Sequence, residues 1–152
     1  MNVVEFRVDP PSGKRAFGSV EILIDGVPLR DLAKVVESPF AASEGHPDIA
    51  GAYTGLLTRD PVCWPSRHFL GEPRLRWFDE GETVLLGCEC GEWECWPLTA
   101  RVEVAGTTVT WSGFRNGHRD GRWDLGALGP FVFDRGQYEA ALRATRRDGG
   151  AG

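Results

Sequence analysis

The sequence predicts an α+β domain in which a mostly antiparallel sheet is packed by a C-terminal helix and one or two short helices. Apolar residues alternate with polar ones in two regions, residues 3–25 and residues 83–114, as they do in half-buried strands. A helical apolar pattern then appears near the C-terminus, at Tyr138, Ala141, Leu142 and Thr145. Strands followed by a helix are typical of α+β domains.

The length of 152 residues, with 41 % hydrophobic residues, is enough to enclose one core. We therefore expect a single domain over residues 1–148 and a disordered tail at residues 149–152.

The N-terminal region is predicted to form an antiparallel hairpin. Residues 3–8 alternate and place Val4, Phe6 and Val8 on one face, and residues 18–25 alternate in the same way. Pro and Gly between the two runs are typical of a turn.

Residues 29–37 have the apolar spacing of a short helix, which Ser38 and Pro39 should end because the residue before proline disfavours the helical region. Periodicity is weak over residues 40–80. There we expect a helical turn or two at residues 50–58, and we expect Phe69 and Leu70 to anchor the segment to the core.

The second half is predicted to form a three-stranded meander with strands at residues 83–90, 95–104 and 107–114. Trp96 begins the alternating apolar face of the middle strand, so that face should be buried. Asp134, with Gln137 three residues later, then resembles the start of a capped helix.

Charge and composition disfavour two classes of partner. The net charge of −5 disfavours binding to nucleic-acid phosphates, and no apolar run approaches the roughly 18 residues of a membrane span. The first residues lack the apolar stretch of a secretion signal. We therefore expect a cytoplasmic protein with reduced thiols.

Three of the four cysteines, Cys88, Cys90 and Cys95, lie in one short segment. Three thiolates around a turn can bind zinc, with Cys63, His68 or His118 as candidates for the fourth ligand. However, a C-x-C pair on an extended strand places its side chains about 7 Å apart, which is long for one ion. No cofactor is the first expectation, and zinc is the alternative.

Other interpretations of the thiols stay open. Cys88 and Cys90 continue the strand phase of Val84 and Leu86 and would then be buried apolar fillers. Cys90 and Cys95 could instead form a disulfide across the turn. Nucleophilic catalysis is disfavoured because neighbouring carboxylates should raise the pKa of these thiols. No phosphate-binding loop or nucleophile elbow occurs, so an enzyme is the less favoured class.

Trp93 lies at the tip of the predicted turn, between Glu92 and Glu94. An exposed tryptophan among charges resembles an interface anchor, whereas a tryptophan packed on its own hairpin would be structural.

Five motifs along the chain resemble those of a family of small bacterial proteins, of actinomycete type, for which no activity is known. They are Asp-Gly-x-Pro-Leu-x-Asp (25–31), Cys-Gly-acidic-x-x-Cys (90–95), Thr-x-Arg-Val-Glu (99–103), Val-x-Trp-x-x-Phe (109–114) and Leu-Gly-Pro-Phe-x-Phe-Asp (128–134). The resemblance implies a fold and a bacterial origin, and it implies no activity.

The function expected from the sequence is therefore a protein-interaction or regulatory role, exerted on another protein through the hairpin at residues 88–96. The interacting residues would be Trp93, Glu92 and Glu94. The alternative is a structural zinc-binding protein, and the oligomeric state stays open.

Overall fold

The computed structural model describes residues 1–11 and 16–146, so the predicted tail at 149–152 lies outside the described residues. These residues contain eight strands and two helices. In chain order they are β1 (Val4–Asp9), β2 (Ser19–Ile24), β3 (Val27–Pro28), α1 (Leu29–Ser43), β4 (Tyr53–Leu57), β5 (Thr83–Cys88), β6 (Leu98–Val104), β7 (Thr108–Asn116), β8 (Phe131–Asp134) and α2 (Arg135–Arg143). Two 3-10 turns, Pro47–Ile49 and Trp93–Cys95, lie between them.

The strands form one antiparallel sheet in the order β1-β2-β4-β5-β6-β7-β8, with β3 paired to β2. An isolated parallel bridge joins Asn2 to Phe133 and brings the β8 edge of this sheet to the β1 edge. The predicted α+β class, the N-terminal hairpin β1–β2 and the meander β5–β6–β7 are all confirmed.

Residues 50–58 do not form the predicted helical turns. They contain β4, whose residues are all buried and which pairs with β2 on one side and β5 on the other. Pairing between distant segments outweighs weak local preference at such a position. Because β4 joins the two halves of the sheet, the missed strand is also the one that sets their relative placement.

Helix α1 is longer than predicted and passes through Pro39 to end at Ser43. Its buried residues, Leu29, Ala33, Glu37 and Ala41, recur every fourth position on both sides of the proline. Pro39 is on the exposed side, and so is Val35, whose carbonyl loses its helical donor. Water can satisfy that carbonyl, so the buried face carries the helix past the proline.

Strand β5 ends at Cys88 and β6 begins at Leu98, so the predicted strands were too long on both sides of the turn. Pro97 has no N–H to donate to a ladder, and residues 93–95 form a 3-10 turn instead. Trp96, predicted on the buried face of the middle strand, is therefore a half-buried loop residue.

Helix α2 begins as predicted, because the Asp134 carboxylate accepts a hydrogen bond of 2.9 Å from the N–H of Gln137. The side chain of Gln137 bonds both backbone groups of Val4 in β1. Tyr138 is fully buried, and its hydroxyl donates to the carbonyl of Phe69 at 2.6 Å. That bond fixes the 58–82 segment to the core, where Phe69 and Leu70 were expected to anchor it. Within the described residues, neither helix has the length and apolar character needed to cross a membrane.

Candidate functional site

Residues 88–96, which we call the cysteine loop, connect β5 to β6 and carry three thiols. The loop folds back over β5 because Gly87 has no side chain. A Cβ at that position would lie 2.7 Å from the Cβ of Trp93. Gly91 provides the reversal, since its φ of +96° is in the region that favours glycine, and its N–H bonds the carbonyl of Cys88 at 3.1 Å.

Side chains from two other parts of the chain hold the outside of the cysteine loop. The Nε2 of His118, in the segment after β7, lies 2.9 Å from the carbonyl oxygen of Glu94. The same imidazole stacks on Trp96, with the two ring planes 8° apart. Arg59, which follows β4, donates to the carbonyl of Gly91 at 3.4 Å. The loop is thus tied to neighbours on both sides.

The three thiols of the cysteine loop are free. The carbonyl oxygen of Glu92 accepts from the Cys90 thiol at 3.7 Å and from the N–H of Cys95 at 3.0 Å, which brings these two cysteines together. Backbone donors also reach the sulfurs: the N–H of Cys90 lies 3.4 Å from the Cys88 Sγ, and the N–H of Glu92 lies 3.5 Å from the Cys90 Sγ. Cys90 and Cys95 are exposed and Cys88 is half-buried, so the prediction that Cys88 and Cys90 are buried apolar fillers is wrong for Cys90.

The pKa values of the three thiols are pushed in different directions. The N–H of Glu92 and the thiol of Cys88 lower the pKa of Cys90. The hydrogen bond with Cys90 raises the pKa of Cys95 to about 11, and burial raises the pKa of Cys88. At Cys90 the backbone donor outweighs the nearby Glu92 carboxylate, so the expectation that the glutamates raise every thiol pKa is wrong there. Of these three thiols, Cys90 is therefore the one most easily ionised.

The candidate fourth zinc ligands have other partners. His68 is fully buried, with Nε2 2.7 Å from the carbonyl of Val84 and Nδ1 accepting from the N–H of Arg74. Cys63 is half-buried in the 58–82 segment, and His118 contacts the backbone of Glu94 rather than a thiol. Among residues 1–11 and 16–146, no group of three or more His, Cys, Asp or Glu side chains is arranged to hold a metal ion.

The predicted interaction residues differ in exposure. Glu92 and Glu94 are exposed, whereas Trp93 is half-buried and packs against the hydrophobic core. Burial raises the pKa of Asp60, and the negative charges of Glu94 and Glu92 raise it further. The three carboxylates are therefore close enough to interact. We call Asp60, Glu92 and Glu94 the acidic patch.

A groove of about 200 Å³ runs beside the cysteine loop. Its lining includes Phe17, Arg59, Cys90 and Glu92, with the Arg59 guanidinium 5.6 Å from the centre of the Phe17 ring. No motif in the sequence indicates this groove. Phe17 and Arg59 flank β2 and β4, and the pairing of Ser19 with Leu57 brings them together. A correct prediction of β4 would have been needed to find it.

A second polar cluster is buried beneath α1. Glu37 accepts from the N–H of Gly51 and from the hydroxyl of Tyr53, and Asn116 donates to that hydroxyl at 2.8 Å. Burial raises the pKa of Glu37 to about 7. The sequence did contain a signal, since Glu37 falls four residues from both Ala33 and Ala41 on the buried face of the helix.

Comparison with known proteins gives this chain no relative. No family model, no characterised protein and no solved structure matches it. The resemblance to the bacterial family therefore stays a prediction. The fold and site define an α+β protein with a loop that carries exposed thiols and carboxylates.

Proposed function

We propose that the protein acts by binding another protein through the cysteine loop, and that the partner presents basic residues there. The observation that carries this proposal is the acidic patch. Glu92 and Glu94 are exposed and Asp60 is half-buried, and the negative charges of both glutamates act on Asp60. Complementary charge across an interface promotes encounter and selects the partner.

Little positive charge offsets the acidic patch from within the described residues. The nearest ion pair joins Arg59 to Glu92 at 3.9 Å, with the Glu92 side chain still 66 % exposed. An exposed pair at that separation contributes little. A basic side chain from a partner could therefore gain more from these carboxylates than Arg59 does.

The contacts that hold the cysteine loop in one conformation support the same proposal. Trp93 packs over Gly87, and His118 bonds Glu94 from outside, so the loop's backbone is held before a partner arrives. A pre-ordered loop loses less conformational entropy on binding. In this proposal Trp93 positions the two glutamates instead of inserting into the partner.

The test places a photocrosslinking amino acid at position 92 or 94 in the intact protein, with position 103 as the matched control. Glu103 is an exposed glutamate on β6. We expect position 92 or 94 to crosslink a peptide of net positive charge that position 103 does not. A synthetic copy of that peptide should bind the Glu92→Lys/Glu94→Lys variant at least about tenfold more weakly than the native protein, with an affinity that falls as salt rises.

Two outcomes would overturn the proposal. One is the same crosslinking pattern at position 103 as in the loop. The other is a captured peptide whose affinity does not respond to the charge reversal.

The alternative function is structural zinc binding by Cys88, Cys90 and Cys95. The two N–H···S hydrogen bonds support it, because backbone donors stabilise thiolate ligands. Elemental analysis of protein purified without a chelator tests it. About one zinc per chain is expected, retained in Cys63→Ser and lost in Cys90→Ser, and the absence of stoichiometric metal would exclude this function.

A further inference from the structure

We propose that the cysteine loop is a thiol–disulfide exchange site, in which Cys90 reacts with an organic disulfide in the groove and Cys95 then displaces the bound thiol. This inference goes beyond the proposed binding function and does not depend on it. It assigns a chemical activity to thiols that the acidic patch leaves unused.

The arrangement of the sulfurs carries the proposal. Exchange needs one accessible sulfur and a second thiol close enough to attack it. The carbonyl oxygen of Glu92 lies 3.7 Å from the Cys90 sulfur and 3.0 Å from the backbone nitrogen of Cys95, so the turn brings a resolving thiol close to Cys90. The N–H of Glu92 points at the Cys90 sulfur from 3.5 Å, which stabilises negative charge on that atom.

The groove gives a disulfide access to Cys90. Cys90 is exposed and lines the groove together with Phe17 and Arg59. Glutathione disulfide carries carboxylates that can meet Arg59 and ammonium groups that can meet Glu92, and its apolar stem can lie on the Phe17 ring.

The chemistry balances without any further reactant. The Cys90 thiolate attacks one sulfur of the organic disulfide, forming a mixed disulfide and releasing one thiolate, which takes up a proton. The Cys95 sulfur then attacks the Cys90 sulfur, forms the Cys90–Cys95 disulfide, loses its own proton and releases the second thiol. Two protein thiols are oxidised and one disulfide is reduced to two thiols.

Cys95 suits the resolving role better than Cys88 does. Cys95 is exposed and ends the 3-10 turn, so its side chain can reach Cys90 across the loop. Cys88 is half-buried at the end of β5, and the N–H of Cys90 already bonds its sulfur. A Cys88–Cys90 disulfide would also have to break that backbone bond.

The experiment exposes the reduced native protein to glutathione disulfide, stops the reaction by alkylation, and locates every disulfide by mass spectrometry. We expect the native chain to accumulate a Cys90–Cys95 disulfide with little glutathione attached. Cys95→Ser should instead accumulate glutathione on Cys90. Cys90→Ser should lose its thiols at least about tenfold more slowly, and Cys63→Ser should behave like the native chain.

Each variant is first checked for native thermal unfolding, and metal content is measured in the same samples. The proposal is overturned if Cys90→Ser reacts as fast as the native protein, or if Cys95→Ser still closes an intramolecular disulfide at the native rate. It is also overturned if bound zinc protects all three thiols from glutathione disulfide. None of these results bears on the acidic patch, so this inference and the binding function fail separately.

Discussion

His68 lies outside any sequence motif, yet its two ring nitrogens bond the 58–82 segment to strand β5. Its Nε2–H donates to the carbonyl of Val84, and its Nδ1 accepts from the N–H groups of Arg74 and Leu75. Only the neutral ring with the proton on Nε2 can make both kinds of bond. Burial lowers the pKa of His68 to about 4, so the folded state keeps the form that the loop requires.

Because of the low pKa of His68, the free energy of unfolding should depend on pH. At pH values between the ordinary pKa of 6.5 and the folded pKa of about 4, His68 is protonated in the unfolded chain and neutral in the folded chain. The free energy of unfolding should therefore fall as pH falls through that range, by up to about 3 kcal/mol. Urea unfolding of the native protein and of His68→Gln at several pH values measures this, because glutamine keeps a donor and an acceptor but cannot titrate. Equal pH slopes for the two proteins would contradict the assignment.

Glu37 has the opposite effect on the pH dependence. Its folded pKa of about 7 lies above the ordinary value of 4.5, so the folded chain holds the extra proton between these values. The free energy of unfolding should fall as pH rises from 4.5 to 7, again by up to about 3 kcal/mol. Glu37→Gln should remove that slope in the same urea experiment. From about pH 5 to pH 6.5 the free energy of unfolding should fall with rising pH in His68→Gln and rise with pH in Glu37→Gln. Slopes of the same sign in the two variants would refute the account.

The cysteine loop depends on the close approach of two backbone segments. An alanine at position 87 would place its Cβ 2.7 Å from the Cβ and 2.8 Å from the Cα of Trp93. Gly87→Ala should lower the free energy of unfolding by roughly 1–3 kcal/mol. Adding Trp93→Ala should not restore stability, because alanine keeps the Cβ that clashes.

Gly106→Ala is the matched control for this change. Gly106 also lies in a turn between two strands of the meander, and nothing lies within 4 Å of a Cβ added there. Its effect on the free energy of unfolding should stay within about 0.5 kcal/mol. If thermal or urea unfolding found Gly87→Ala as mild as this control, the packing of the loop over β5 would be wrong.

Elements with a strong local pattern were predictable, and elements defined by distant partners were not. The hairpin β1–β2, the strands of the meander and the Asp134 cap follow from alternation and capping chemistry in the sequence. Strand β4 does not alternate because all of its residues are buried, on both faces of the sheet. Helix α1 passes Pro39 because tertiary burial of Glu37 and Ala41 outweighs the local cost of the proline.

The side chain of Asn2 links the two edges of the sheet. Asn2 accepts from the N–H of Val132 at 3.0 Å and donates to Asp25 at 2.8 Å, while its own N–H bonds the carbonyl of Val132. Asn2→Ala should lower the free energy of unfolding by about 1–2 kcal/mol and speed hydrogen exchange at Val132. Unchanged exchange at Val132 would show that the bridge does not close the sheet.

Less of the site than of the fold could be read from the sequence. The clustering of Cys88, Cys90 and Cys95 and the neighbouring Glu92 and Glu94 was visible as a short motif. The groove, the contact with His118 and the addition of Asp60 come from segments far apart in the chain. The backbone donor that favours the Cys90 thiolate depends on the turn's conformation, which spacing alone does not determine.

The central claim is that folding makes Cys90 the most reactive of the three thiols in the cysteine loop. The most direct test is alkylation of the reduced native protein with limiting iodoacetamide at neutral pH, followed by peptide mapping of all four cysteines. We predict that Cys90 is modified faster than Cys88 and Cys95, because it is exposed and the N–H of Glu92 lowers its pKa. The difference should vanish in denaturant. Alkylation of Cys95 or Cys88 as fast as Cys90 in the folded protein would contradict the claim.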